Sequence, residues 1–167
     1  MGTDTPEVTL GAVAGGLYVG VQGRATQGTC PTADQLVGDY LSSDPLRPLV
    51  VLDVTGCEWI DSTFAGWLVQ LNKRLERSAG GRLLITGCSE RCRRSLEKMR
   101  LTELLKFETV APPPETQNVP CTTGEVTGKE KLKLMLEAHE ALAGVSPENE
   151  QVFTPIATML RGQMERS

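Results

Sequence analysis

Apolar positions along this chain fall into two rhythms, short extended runs and longer stretches with helical spacing. Glu7–Val13 and Leu17–Gly23 read as strands, joined by turn material around Gly15-Gly16. Pro31-Thr32-Ala33-Asp34-Gln35 reads as a helix start, with Thr32 and Gln35 spaced as a capping box. Ala33, Leu36, Val37, Tyr40 and Leu41 then share one helical face, and Pro45 and Pro48 end it. Leu49–Val54 is a continuous apolar run with one Asp, the pattern of a central strand buried on both faces.

The second half repeats the alternation. Asp61 or Ser62 caps a helix whose inward positions include Phe64, Leu68, Leu71 and Leu75, and Ala79-Gly80-Gly81 stops it. Leu83–Thr86 is a short strand, after which Ser89 caps a basic helix with Cys92, Leu96 and Met99 on its apolar stripe. Leu101–Leu105 adds a turn and Phe107–Val110 a last short strand. Strands alternating with helices predict an α/β layer structure: a mixed central sheet of about four to five strands with helices mainly on one side.

The rhythm breaks at Ala111-Pro112-Pro113-Pro114, and residues 111–127 read as a proline-rich linker after a domain spanning 1–110. Two further helices follow in 128–167. Thr127-Gly128-Lys129-Glu130 has capping-box spacing, and Leu132, Met135, Leu136, His139 and Leu142 share a face. Ser146-Pro147-Glu148 restarts a helix with Val152, Phe153, Ile156, Met159 and Leu160 as its apolar side. Such a hairpin needs a surface to cover, on the domain or on a second copy of the chain.

Composition narrows the function classes. The chain has 167 residues, a net charge of −4 and 4% aromatic residues, which argues against nucleic acid or an anionic membrane as partner. No apolar run approaches the roughly 20 residues of a membrane span. MGTDTPEVTL lacks the charged and apolar regions of a signal peptide, and Pro6 breaks the myristoylation pattern after Met1-Gly2. The expectation is a soluble cytoplasmic protein. Cys30, Cys57, Cys88, Cys92 and Cys121 lack paired spacing and read as reduced. With one histidine and no second paired motif, Cys88 and Cys92 do not close a metal site. No cofactor or metal is expected.

Catalytic motifs are missing. The Gly11–Gly16 stretch matches neither nucleotide fingerprint and reads as a hairpin turn. His139 stands in the apolar stripe of its helix with no oriented partner evident for a base, so it reads as a packing residue. Arg91, Arg93, Arg94, Lys98 and Arg100 read as a solvated face, with an anion or partner contact as the alternative, and Trp59 and Trp67 as core or rim packing. Asp53 reads as structural. Asp61-Ser62-Thr63 leaves two readings open, a plain helix cap or a functional hydroxyl. An enzyme is the least favoured class, since Gly-x-Ser-x-Gly is missing and no base accompanies the serine locally.

LYVGVQGRAT, VVLDVTGCEWIDSTFAG, AGGRLLITG and CRRSLEKMRLTELLKF, in this order, resemble a STAS domain over about Glu7 to Val110. That fold is shared by bacterial anti-sigma factor antagonists and the cytoplasmic tails of sulfate transporters, and the lack of a preceding membrane segment disfavours the transporter form. The resemblance implies an antagonist-like interaction switch in bacterial signalling, phosphorylated at Ser62 by an anti-sigma factor that is a serine kinase, with Thr63 the alternative acceptor. It further implies Asp61, Ser62, Thr63 and Phe64 as partner-binding residues, with a serine phosphatase and a homodimer as further partners. The chain departs from the antagonists' Gly-Leu-Gly continuation with Phe64-Ala65-Gly66, which puts the partner class in question. The alternatives are an unphosphorylated STAS scaffold or a module that senses nucleotides or lipids.

Overall fold

A computed structural model of the chain describes residues 7–121 and 127–166. Met1–Pro6, Ser167 and residues 122–126 of the anticipated linker lie outside the described residues. Strands β1 (Glu7–Val13) and β2 (Gly16–Val21) pair antiparallel, from Val8 opposite Val21 to Val13 opposite Gly16. Gly15, at φ 78°, takes the left-handed conformation that this tight turn requires.

Strands β4 (Leu49–Asp53), β6 (Arg82–Thr86) and β7 (Lys106–Phe107) extend the sheet in parallel from β2. On the far side, β8 (Thr116–Pro120) pairs antiparallel with β1, so the sheet is mixed and runs β7-β6-β4-β2-β1-β8. Among the described residues it therefore has six strands, more than the pattern predicts. The addition comes from inside the anticipated linker. Thr116-Gln117-Asn118-Val119-Pro120 carries no apolar alternation because it is an exposed edge, and Pro120 is tolerated there for the same reason.

The strand expected over Leu17–Gly23 divides. Gly23 has φ 75°, and β3 (Gly23–Ala25) leaves the main sheet to pair in parallel with β5 (Cys57–Ile60) in a second, two-stranded sheet. This small sheet carries the chain from β4 to the helix that begins at Ser62.

Helices α1 (Cys30–Ser42), α2 (Ser62–Glu76) and α3 (Glu90–Lys98) lie on one face of the sheet. Period-two alternation sorts the strands cleanly: Val19, Val50, Leu52, Leu83 and Ile85 join the core with Phe64, Leu68, Leu71 and Leu75 of α2. Tyr18, Val51 and Leu84 point to the opposite face, against Val13, Leu49 and Val110. On that face Asp53 is fully engaged. Its carboxylate accepts from Tyr18 Oη at 2.5 Å and from the Thr55 N–H at 2.9 Å, a structural role. Burial beside that carboxylate raises the Tyr18 phenol well above its ordinary value.

Helix α1 begins one turn earlier than its pattern suggests, with Thr29 at the N-cap, so the Thr32/Gln35 capping box is not made. Thr29 Oγ1 donates instead to the Arg24 carbonyl at 3.1 Å. The other caps follow the sequence. Ser89 Oγ accepts from Cys92 N at 3.1 Å, and Thr127 and Glu130 exchange both capping-box bonds at 3.1 Å.

The last two helices, α4 (Gly128–Ala143) and α5 (Pro147–Glu165), form a hairpin lying across α2. Leu142 and Phe153 enter the main core, while Leu136, Ala157 and Leu160 seal the space between the two helices. Asn149 Nδ2 donates to the Met99 carbonyl at 2.8 Å, tying the start of α5 to the end of α3. Val152 and Met159, which share the apolar pattern, face outward at 57% and 55% exposure. The buried stripe is Phe153, Ala157 and Leu160, since small Ala157 lets the helices close together.

Where α4 crosses α2 the backbones touch. A Cβ built on Gly66 would stand 2.2 Å from the Ala138 carbonyl oxygen. Glycine in a helix interior is unfavourable by roughly 0.5–1 kcal/mol; here it permits this approach.

Candidate functional site

The small sheet fixes the mouth of α2. Asp61 N–H donates to the Ala25 carbonyl at 2.9 Å, anchoring the loop to the end of β3. With φ −88° and ψ 172°, Asp61 is the N-cap, and its Oδ1 accepts from Phe64 N at 2.8 Å. The other oxygen, Oδ2, accepts from Gln27 N at 3.1 Å, so one carboxylate joins two loops. Burial raises the Asp61 carboxyl above its ordinary value, against the pull of the Phe64 and Gln27 N–H groups. A folded-state pKa raised in this way favours the folded chain most when the carboxyl is protonated, and that contribution declines as pH rises through it.

Asp61→Ala is expected to cost about 1–2 kcal/mol, the usual loss for a cap, with the Gln27 N–H left without its partner. Urea denaturation at neutral pH measures this. A change below about 0.5 kcal/mol would show that the cap is not holding the loop.

Ser62 follows as the first residue of α2, partly exposed. Its Oγ lies 2.9 Å from Nε2 of His139 on α4. His139 is 4% exposed, and its Nδ1 lies 2.6 Å from the Met135 carbonyl oxygen. A carbonyl only accepts, so Nδ1 carries a proton. In the neutral ring Nε2 then accepts from the Ser62 hydroxyl. The sequence reading of His139 as a packing residue without an oriented partner thus missed its main contact. The two residues are 77 positions apart, and no local signal connects them.

The neighbouring residues are placed differently from the expectation. Thr63 is 3% exposed, whereas Ser62 is partly exposed. Phe64, anticipated at a partner surface, is fully buried in the core with its ring 5.3 Å from that of Trp67. It faces inward because it occupies the third helical position, on the same stripe as Leu68, Leu71 and Leu75. Trp67 reaches across to α1, where Nε1 donates to Asp34 Oδ1 at 2.9 Å. Trp59, by contrast, is 45% exposed beside Ser62's loop, with the Arg24 guanidinium 5.7 Å from its ring centroid.

The cysteines are free thiols, and burial pushes those of Cys57 and Cys88 up to about 11. Both stay protonated near neutrality and are weak nucleophiles. Among the described residues no group of three or more His, Cys, Asp or Glu is placed to hold a metal ion, and no helix is long and apolar enough to cross a membrane.

Comparison with known proteins adds the lineage. Residues 21–112 match the STAS domain family. The chain belongs to that family. STAS domains are typically non-catalytic regulatory modules. No curated protein matches the sequence. Among solved structures, the anti-sigma factor antagonist SpoIIAA in its unphosphorylated form is similar, with a TM-score of 0.50 at 10% identity. The match covers 62% of this chain and 89% of that one, which supports the shared fold. In this STAS protein the family match stops at residue 112, so β8, α4 and α5 all lie beyond it.

Proposed function

We propose that this STAS domain is an anti-sigma factor antagonist-like interaction switch in bacterial signalling, controlled by phosphorylation of Ser62. The observation that carries the reading is the position of Ser62: first residue of α2, partly exposed, beside the capping residue Asp61. A helix N-terminus bears a partial positive charge, so a phosphate there is electrostatically tolerated. It adds about −1.5 to −2 charges. Beside the Asp61 carboxylate this charge repels an acidic or closely fitting partner. The partner class that fits is an anti-sigma factor acting as a serine kinase, with a serine phosphatase reversing the modification. Asp61 and Ser62 are the contact residues, and Ser62 is preferred over the shielded Thr63.

The test is a pull-down from native lysate with wild type, Ser62→Ala and Ser62→Asp, together with phosphosite mapping. Ser62→Ala is expected to retain its partner constitutively. Ser62→Asp is expected to lose about tenfold or more in affinity, about 1.4 kcal/mol. Equal binding by all three, with no phosphate on Ser62 or Thr63 in the host, sinks the reading. A constitutive scaffold would then stand. One observation favours that second reading: the Ser62 hydroxyl already has an internal partner in His139.

A further inference from the structure

We propose that α4 is a cis-acting cap on Ser62, held down through His139 while the residue is a free hydroxyl and released when it carries phosphate. The inference rests on the reading of Ser62 as the modified residue and adds how the modification is transmitted. Nothing in the STAS match foresees it, because the hairpin lies outside residues 21–112.

Three features of the contact carry the inference. First, the bond has a direction. Met135's carbonyl fixes the proton on Nδ1, which leaves Nε2 of the neutral ring to accept from the Ser62 O–H at 2.9 Å. Transfer of the terminal phosphoryl group of a nucleoside triphosphate forms an Oγ–P bond and breaks the β,γ-phosphoanhydride. The hydroxyl proton is lost and a nucleoside diphosphate leaves. The ester Oγ then has no hydrogen to donate. Nε2, on a residue 4% exposed, loses its donor and faces a dianion.

Second, there is no slack at the crossing. Gly66 already meets the Ala138 backbone so closely that a single methyl group does not fit, one residue from His139 on α4 and four from Ser62 on α2. A phosphate added within that span finds α4 in its way. Third, the hairpin is an added layer with its own internal seal of Leu136, Ala157 and Leu160 and the Arg161–Glu140 ion pair. It moves off as a unit, giving up the Asn149–Met99 bond and the Arg100–Glu148 ion pair that tie it to the end of α3. Release bares Leu142 and Phe153 of the hairpin and the α2 face beneath them, so the two states of the switch differ by a helical layer as well as by charge.

The test uses the full chain with phosphoserine installed at position 62 during synthesis, read by hydrogen exchange of residues 128–143. Exchange there is expected to rise about tenfold or more over the unmodified chain, while β4 and β6 keep their protection as the control for an intact fold. Gly66→Ala marks the released state. Unchanged protection of α4 overturns the proposal, and so does increased protection, the signature of an imidazolium–phosphate pair clamping the hairpin. The phosphate is installed, so the result does not depend on any kinase. Absence of phosphate on Ser62 in the host would sink the functional reading and leave this docking measurement standing.

Discussion

Replacing Gly66 by alanine is expected to lift α4 from α2 and to destabilise the chain by about 1–3 kcal/mol, the usual range for an overpacked contact. On an isolated helix the same change stabilises by roughly 0.8–1 kcal/mol, since alanine is the better helix former. The sign reverses because the new Cβ would lie 2.2 Å from the Ala138 oxygen and 2.6 Å from its carbonyl carbon, both backbone atoms that cannot rotate away. Ordinary contact needs about 3.5 Å or more, so α4 must retreat by more than about 1 Å. That is enough to break the 2.9 Å contact between Ser62 and His139. The variant should therefore show a lower melting temperature, faster exchange in 128–143 and new apolar surface that binds a hydrophobic dye. Alanine at 66 that stabilises the chain and leaves α4 protected would mean the helices do not meet there.

What the sequence reveals here is set by how far apart the interacting atoms lie. Caps made within three or four residues are legible: Asp61 with Phe64, Ser89 with Cys92, Thr127 with Glu130, Ser146 with Asn149. So are elements buried on a single pattern, such as β4, which reads as apolar because both of its faces are covered. The Thr32/Gln35 signal misleads because a competing local arrangement wins. Its spacing is correct, but Thr29, bonded to Arg24 and Thr26 just upstream, starts the helix earlier. Strand β8 escapes notice because edge pairing uses backbone groups and needs no particular side-chain pattern.

The site divides along the same line. Asp61 as a cap and Ser62 at the helix mouth follow from local spacing. The partner of Ser62 does not, because His139 arrives through a hairpin whose docking depends on Leu142, Phe153 and the missing side chain at Gly66. Helical periodicity places His139 on the apolar face of α4 and stops there. It cannot say which polar group waits beneath that face. Val152 and Met159 mark the same limit on α5, where an apolar spacing fits two faces of the helix and packing selects one.

Phe64→Ala is expected to give a still larger loss of stability, about 3–5 kcal/mol, as is usual when a buried phenylalanine is truncated. The ring is fully buried in the main core and packs at 5.3 Å and 53° against Trp67. Deleting it removes those dispersion contacts and leaves a cavity that the surrounding helices cannot close, since Trp67 is itself pinned to Asp34 of α1. A typical domain has only about 5–15 kcal/mol to lose, so the variant approaches unfolding at moderate temperature. Phe64→Leu, which keeps most of the volume, should cost clearly less, about 1.5 kcal/mol or under. The pair separates two roles for this position, measured by denaturation midpoints at unchanged m-value alongside partner binding. Core packing predicts a graded loss of stability from phenylalanine to leucine to alanine, with binding retained in whatever fraction remains folded. A partner-facing ring predicts the reverse, stability within about 0.5 kcal/mol of wild type and binding lost in both variants. The first pattern is expected, because a side chain with no exposed surface has none to offer a partner until the layers around it separate.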